Sequence, residues 1–321
     1  MEFNFNSYPY SSRRGVVFSN KSMVATSNPS AALAGIEILR KGGNAIEAAL
    51  AAAISMPVVE PTCNGLGADL FAIISYKNKL YGINGSGRSP KKISIQALRE
   101  KSYEDMPFFG VDSVNTPGAV GAWFEIYNKF GKLPLKEIFE PAINYAKNGY
   151  ALSPKVAKLW DDEVNKYKNL KDICGLEEFF KVFSDKGKVP KAGDIVKNDN
   201  LKNTLEEILE TEGKSFYSGD LARKISSSVK DLGGFLDIDD LKAYKPLWVD
   251  PISTNYKGYD IWEMPPNGHG VSVLMALNIL NKLTLTDRED PKTLHKIIEA
   301  IKIAMTDGKT YISDPSFMKK R

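Results

Sequence analysis

Apolar residues recur at helical spacing through residues 28–56, where NPSAALAGIEILRKGGNAIEAALAAAISM predicts two consecutive helices. Asn28 is placed to cap the first, Pro29 to open it and Gly42-Gly43 to stop it. Asn44 followed by Glu47 forms the capping-box pattern that starts the second. Its Ala48, Ala49, Ala51, Ala52 and Ala53 make a thin rod that another element can approach closely, so this helix is expected to be buried. Pro57 is expected to end it, because the ring removes an N–H donor and clashes with the preceding turn.

After a loop over 60–67 the pattern changes. Leu70 to Tyr76 and Lys79 to Asn84 are apolar, β-rich runs separated by Lys77-Asn78, which predicts a hairpin. Helical patterns return over 120–129, 135–147, 154–168, 201–212, 221–231 and 239–244. The Lys-, Gly- and Asp-rich stretch 181–199 reads as loop, 252–264 as strands and 270–281 as a further helix. Helices on both sides of antiparallel strands point to a layered α+β protein. No fixed-period repeat is present, which argues against a solenoid or propeller.

Composition narrows this further. The 321 residues are 43% hydrophobic and 26% charged, ordinary for a folded globular chain. A net charge of +4 and a pI of 8.7 fall short of a dedicated nucleic-acid module. Two cysteines, Cys63 and Cys174, cannot build a disulfide framework and are expected as reduced thiols. The longest apolar stretch, 45–59, is interrupted by Glu47, Ser55 and Pro57 and is shorter than the ~20 residues of a spanning helix. The first twenty residues lack a basic segment followed by an apolar one, so a cytoplasmic protein with no membrane partner is expected.

The candidate chemistry is sparse. His269 and His295 are too few and too far apart in sequence for a zinc motif, and His295 is expected as a structural residue on a helix. His269 lies in Pro265-Pro-Asn-Gly-His-Gly270, a turn-rich loop that either lines a site or is simply a rigid connection. Gly65-Leu-Gly67 lacks a third glycine and leads from helix into strand, the wrong order for a dinucleotide turn. Cys63 as a nucleophile would need a base beside it, and no signature supplies one. Ser89 and Lys92 match S-x-x-K without the elements that accompany it in acyl-transfer enzymes. Asp161-Asp162 and Asp237 to Asp240 read as solvated carboxylates near helix starts. Arg88, emerging from Asn84-Gly-Ser-Gly-Arg-Ser-Pro90 at a strand end, is either a layer-bridging arginine or a bidentate anchor for a substrate carboxylate.

The chain also resembles the N-terminal, large-subunit portion of the gamma-glutamyltransferases (gamma-glutamyltranspeptidases). The resemblance rests on ordered segments: Ala25-Thr-Ser-Asn-Pro-Ser-Ala-Ala, Gly42-Gly-Asn-Ala-Ile-Glu-Ala-Ala, Val59-Glu-Pro, the Gly65-Leu-Gly loop and Thr116-Pro-Gly-Ala-Val. Ala192-Gly-Asp, Phe216-Tyr-Ser-Gly219, Gly233-Gly-Phe, Asp240-Leu-Lys-Ala-Tyr244, Tyr256-Lys-Gly-Tyr, Met264-Pro-Pro and Asp314-Pro-Ser-Phe317 follow. It implies one domain over 23–321, preceded by an extension over 1–22. The implied fold is the αββα layered sandwich of the N-terminal-nucleophile (Ntn) hydrolases, made as a self-cleaving precursor.

In such enzymes the new N-terminal threonine of the small subunit is nucleophile and, through its amine, base. No T-T-H-like element follows Phe317. The resemblance therefore implies a large-subunit part with no catalytic residue of its own, whose antiparallel strands lack their small-subunit neighbours. Its partners would be that small-subunit region, in cis or in trans, a gamma-glutamyl or related acyl-amide substrate and possible further copies of itself, with no cofactor or metal. A noncatalytic binding or interaction module, or an inactive relic, is the alternative, and a cysteine hydrolase using Cys63 ranks below both. The substrate-binding residues implied are Arg88, Ser86, Asn267, Gly268 and His269. Ser86 stands where members with gamma-glutamyl specificity carry an arginine four residues before a proline, whereas Arg88 lies two before Pro90. Gly308 similarly replaces an arginine expected after Asp307.

Overall fold

The computed structural model describes residues 15–170 and 173–318. Residues 1–14 of the expected N-terminal extension lie outside the described residues. Along the chain run α1 (Pro29–Arg40), α2 (Ala45–Val59), β1 (Leu70–Tyr76), β2 (Lys79–Gly85), α3 (Ile95–Glu100), α4 (Ala119–Phe130), α5 (Leu135–Asn148) and β3 (Tyr150–Ala151). There follow α6 (Pro154–Lys168), α7 (Leu176–Phe183), β4 (Ile195–Val196), α8 (Asp199–Glu210), α9 (Lys214–Ser218), α10 (Asp220–Asp231) and α11 (Ile238–Ala243). The last elements are β5 (Leu247–Val249), β6 (Ile252–Tyr256), β7 (Tyr259–Glu263), α12 (Gly270–Leu280) and α13 (Pro291–Tyr311). None of the described helices is long and apolar enough to cross a membrane.

The predicted caps form. Asn28 Oδ1 accepts from Ser30 N, and Asn44 and Glu47 make a reciprocal capping box. α2 is buried along most of its length, with Ala48, Ala51, Ile54 and Val59 almost fully enclosed. Glu47 is fully buried as well: one carboxylate oxygen accepts from Lys132 N and Leu133 N, the other from Asn44 N. Three backbone donors thus compensate its desolvation.

Three expectations are corrected. Pro57 does not end α2, which continues to Val59; so near the helix end the ring forfeits a single ladder bond, and Glu60 N still closes onto Met56 O. Asp161 and Asp162 lie in the middle of α6 rather than at its start, and Asp162 pairs with Lys158 one turn back. The stretch 181–199 is loop only in part, since α7 reaches Phe183 and β4 occupies Ile195–Val196.

The strands form three small antiparallel sheets among the described residues: β1-β2-β5, β3-β4 and β6-β7. In the first, Ala72, Ile83 and Trp248 share one face with Ile74 and Tyr81 by register, and this face packs on the helical core with α4. Phe71, Asn84 and Leu247 share the opposite face with Ile73, Gly82 and Val249. On that side Phe71, Ile73 and Leu247 are exposed. The chain therefore has the mixed α+β architecture expected, with one sheet face covered by helices and the other bearing exposed apolar side chains.

Candidate active site

The β2 strand delivers its last residues to the rim of a cleft of about 630 Å³, lined by Asn84, Ser86, Arg88, Thr116, Tyr244, Asn267 and Asp314 among others. Five separate stretches converge there, one of them the turn after α13 that carries Asp314. The loop after β2 contributes Ser86 and Arg88, the approach to α4 contributes Thr116, the end of α11 leads to Tyr244, and the loop before α12 contributes Asn267.

Close backbone packing holds the first two stretches together. Thr116 N donates to Arg88 O at 3.1 Å. A Cβ on Gly87 would sit 1.4 Å from the Thr116 carbonyl oxygen, so only glycine fits. Beneath, Tyr244 and Tyr217 stack with ring centroids 5.0 Å apart and donate their hydroxyls to Gly118 O and Pro117 O. Burial pushes both phenols above their ordinary range, so they serve as fixed donors.

The far side of the loop is tied to α11. Asp240, buried, accepts from Lys91 N through one carboxylate oxygen and from Asp237 N through the other. Lys92 Nζ lies 2.6 Å from Asp237 Oδ2. That contact commits the Lys92 ammonium to a carboxylate, so Ser89 and Lys92 do not form an acyl-transfer pair. Asp237 and Asp240 form the capping box of α11, as their place near a helix start suggested, but Asp240 is buried and both tie the loop to α11, so they are joints rather than solvated carboxylates.

Ser86 and Asn267 meet through Asn84. Asn84 Nδ2 donates to Asn267 Oδ1 at 2.7 Å, and Asn84 Oδ1 accepts from Ser86 N at 2.9 Å and Ser86 Oγ at 2.7 Å. Asn267 Nδ2 donates back to Ser86 Oγ at 3.1 Å. The result is a neutral amide and hydroxyl cluster beside one cation. Arg88 Nε lies 3.5 Å from Asp314 Oδ2, and the guanidinium is two-thirds exposed, so it can exchange that carboxylate for another at small cost. Asp314 is held below the usual carboxylate range by the Ser316 hydroxyl and N–H, with Arg88 adding to the effect.

The structure therefore brings together Ser86, Arg88 and Asn267. Gly268 and His269 do not line the cleft; His269 is exposed at the N-terminal end of α12, where its carbonyl accepts from Ser272 N. His295 is exposed on α13. Cys63 is an exposed thiol in the turn after α2, and no hydrogen bond joins it to a histidine among the described residues. Nor do those residues include a cluster of three or more His, Cys, Asp or Glu side chains arranged for a metal ion. Sequence reasoning missed Asn84, Thr116, Tyr244 and Asp314 as lining residues. An amide side chain closing the apolar, β-rich run Lys79 to Asn84 was the available signal for Asn84.

Comparison with known proteins fits this geometry. The gamma-glutamyltranspeptidase family model matches residues 31–321. A glutathione hydrolase-like proenzyme (YwrD) of Bacillus subtilis is 34% identical over 94% of this chain and 57% of its own length. The glutathione hydrolase proenzyme of Escherichia coli is 30% identical over 94% of this chain and 53% of its own. The chain thus spans little more than half the length of these relatives. Among solved structures, a cephalosporin acylase from Bacillus halodurans superposes with a TM-score of 0.92 at 44% identity, covering 100% of this chain and 60% of that one. The gamma-glutamyltranspeptidase of Helicobacter pylori gives 0.86 at 27% identity, covering 95% of this chain and 88% of that one. With the family model matched over nearly its whole length, the chain belongs to the gamma-glutamyltranspeptidase family.

Proposed function

We propose that this chain is the large-subunit portion of an Ntn-type amidase, acting on acyl amides through a threonine carried by a small-subunit segment. The observation that carries the reading is the exposed apolar face of the β1-β2-β5 sheet, where Phe71, Ile73 and Leu247 flank Asn84 beside the Arg88 cleft. A second sheet docking there would cover this face, complete the αββα sandwich and bring its own first residue to the cleft. The coverage ratios also support it, being 57% of a proenzyme but 88% of one chain in the Helicobacter pylori structure.

In this reading the threonine hydroxyl attacks the amide carbonyl while its α-amine takes the hydroxyl proton. The amine passes that proton to the departing nitrogen as the C–N bond breaks, and water or an amino acid then resolves the acyl-enzyme. The residues of this chain bind and orient the acyl group. Asn84, Ser86 and Asn267 offer neutral hydrogen bonds, and Arg88, released from Asp314, offers one cationic contact.

The neutral Ser86 cluster and the 44% identity to a cephalosporin acylase favour acyl amides other than gamma-glutamyl compounds as the better substrates. The test is hydrolysis of a gamma-glutamyl anilide and of an N-acyl anilide without an α-amino acid group, by residues 1–321 alone and co-produced with a family small subunit. Turnover only in the combined preparation, faster on the second substrate, is expected. Turnover by the single chain sinks the large-subunit reading, and equal inactivity of both preparations favours a noncatalytic module.

A further inference from the structure

The Arg88 guanidinium meets one carboxylate among the described residues, that of Asp314, and both side chains line the cleft. Asp314 lies just beyond Tyr311, the last residue of α13, in a turn closed on itself. Its Oδ1 accepts from Ser316 N at 2.9 Å and from Ser316 Oγ at 2.6 Å, and its carbonyl oxygen accepts from Phe317 N at 2.9 Å. An aspartate bonded in this way to the backbone two residues on is fixed by its own turn. The other oxygen, Oδ2, is left facing Arg88 Nε at 3.5 Å.

Arg88 is anchored from its own side as well. Its carbonyl accepts from Thr116 N at 3.1 Å, and Gly87 admits no side chain against the Thr116 carbonyl. Two independently fixed stretches therefore present opposite charges to each other in the cleft. The other carboxylate on the wall, Asp240, is buried and committed to the N–H groups of Lys91 and Asp237. Asn84, Ser86 and Asn267 are uncharged and bonded among themselves. Lys91 and Lys245 line the cleft too, but both are exposed and solvent screens them.

An acyl group that ends in a carboxylate can pair with Arg88 only by taking the place of Asp314 Oδ2. Ser316 keeps Asp314 where it is, so the incoming charge then lies beside a like charge. An uncharged acyl group meets no such competitor: it bonds to the amide and hydroxyl cluster and leaves the ion pair intact. The Ser316 hydroxyl and N–H, with Arg88 adding to the effect, hold the Asp314 carboxyl below its usual range, so the competitor is ionised at neutral pH.

We propose that Asp314 is a specificity-determining residue of this cleft, an internal counter-ion that neutralises Arg88 and selects against acyl groups ending in a carboxylate. The inference rests on the reading that the cleft holds the acyl group, and adds to it the charge that group carries. Asp314→Asn keeps the Oδ1 that Ser316 bonds while removing the charge, so it frees Arg88 without opening the turn.

The test is a ligand-detected NMR titration of the full chain with succinic acid monoanilide and with the corresponding primary amide, which differ only in a carboxylate against a carboxamide. The ratio of the two affinities, acid over amide, should rise about fivefold in Asp314→Asn, the scale of one exposed ion pair. The amide should bind wild type and Asp314→Asn equally well. Adding Arg88→Ala to Asp314→Asn should erase the rise, because the two residues act through each other. An unchanged ratio, an equal gain for both probes, a rise that survives Arg88→Ala, or no saturable binding of the acid to Asp314→Asn would each overturn the proposal. Binding needs neither a small subunit nor turnover, so these outcomes are read independently of anilide hydrolysis. Hydrolysis by the combined preparation with an unchanged ratio keeps the amidase reading and overturns only the role of Asp314; the expected ratio without hydrolysis does the reverse.

Discussion

Asn84 Nδ2 donates to Asn267 Oδ1 at 2.7 Å, joining the end of β2 to the loop before α12 across 183 positions of sequence. Its own Oδ1 receives the N–H and hydroxyl of Ser86, so one buried amide fixes both sides of the cleft. Asn84→Ala would remove the acceptor of the Ser86 N–H and the donor to Asn267 Oδ1, at about 1 kcal/mol of stability for each lost hydrogen bond. Ser86→Ala should cost less, since Asn84 Oδ1 keeps the backbone donor. Urea unfolding of the two variants checks the order, and equal midpoints would show that Asn84 is not the joint.

Glu47 performs a similar task in the helical layer. Its carboxylate bonds the N–H groups of Lys132 and Leu133, beyond the end of α4, and that of Asn44, which begins α2. Glu47→Ala leaves three donors without their partner in a closed site, and at about 1–3 kcal/mol for each stranded group the loss is a large share of a typical domain's stability. Glu47→Gln keeps the volume but presents only one acceptor oxygen, so its loss should fall between that of alanine and wild type. Thermal denaturation of the three proteins tests the ranking.

These two residues show what was legible in advance. The Asn44 and Glu47 capping box follows from local spacing, and so does the hairpin of β1 and β2, because both pair residues close in sequence. The reach of Glu47 to Lys132 and of Asn84 to Asn267 is long-range, and no periodicity encodes it. β5 escaped notice because Leu247–Val249 is too short to show alternation and is a strand only through pairing with β2. At the cleft, the glycine-rich loop around Arg88 was readable from composition. Asp314 as the partner of Arg88 was not, since the pair forms only when the turn after α13 folds back.

Gly87 fixes the position of Arg88 by steric exclusion. An added Cβ would overlap the Thr116 carbonyl oxygen, so Gly87→Ala must push the loop off the approach to α4 and break the Thr116-to-Arg88 backbone bond. About 1–3 kcal/mol of destabilisation is expected from the overpacking. Gly67→Ala is the control, because a Cβ there meets nothing within 4 Å, and it should stay within ~0.5 kcal/mol of wild type. Arg88→Ala should also be nearly neutral for folding, its ion pair being exposed, at ~1 kcal/mol or less. Denaturant midpoints separate the three cases.

Asp237 links acid stability to the loop that carries Arg88. The Lys92 ammonium holds its carboxyl below the usual range, and the N–H groups of Asp239 and Asp240 add to the effect at the start of α11. A carboxylate with a depressed folded-state value contributes stability that is fully present above its unfolded value, about 4. That contribution disappears as pH falls through the folded-state value. Lys92, raised by the same contact, works in the opposite sense: its share is present below its unfolded value and lost as pH rises through the folded one. Asp237→Asn retains the capping oxygen while removing the charge, which isolates the electrostatic part. Urea unfolding from pH 7 down to pH 3 should show a constant gap between wild type and Asp237→Asn above about pH 5, closing at lower pH. Added salt should narrow the gap at neutral pH, because the Lys92 partner is solvent-exposed. A gap that persists unchanged at pH 3 would assign Asp237 a purely geometric role.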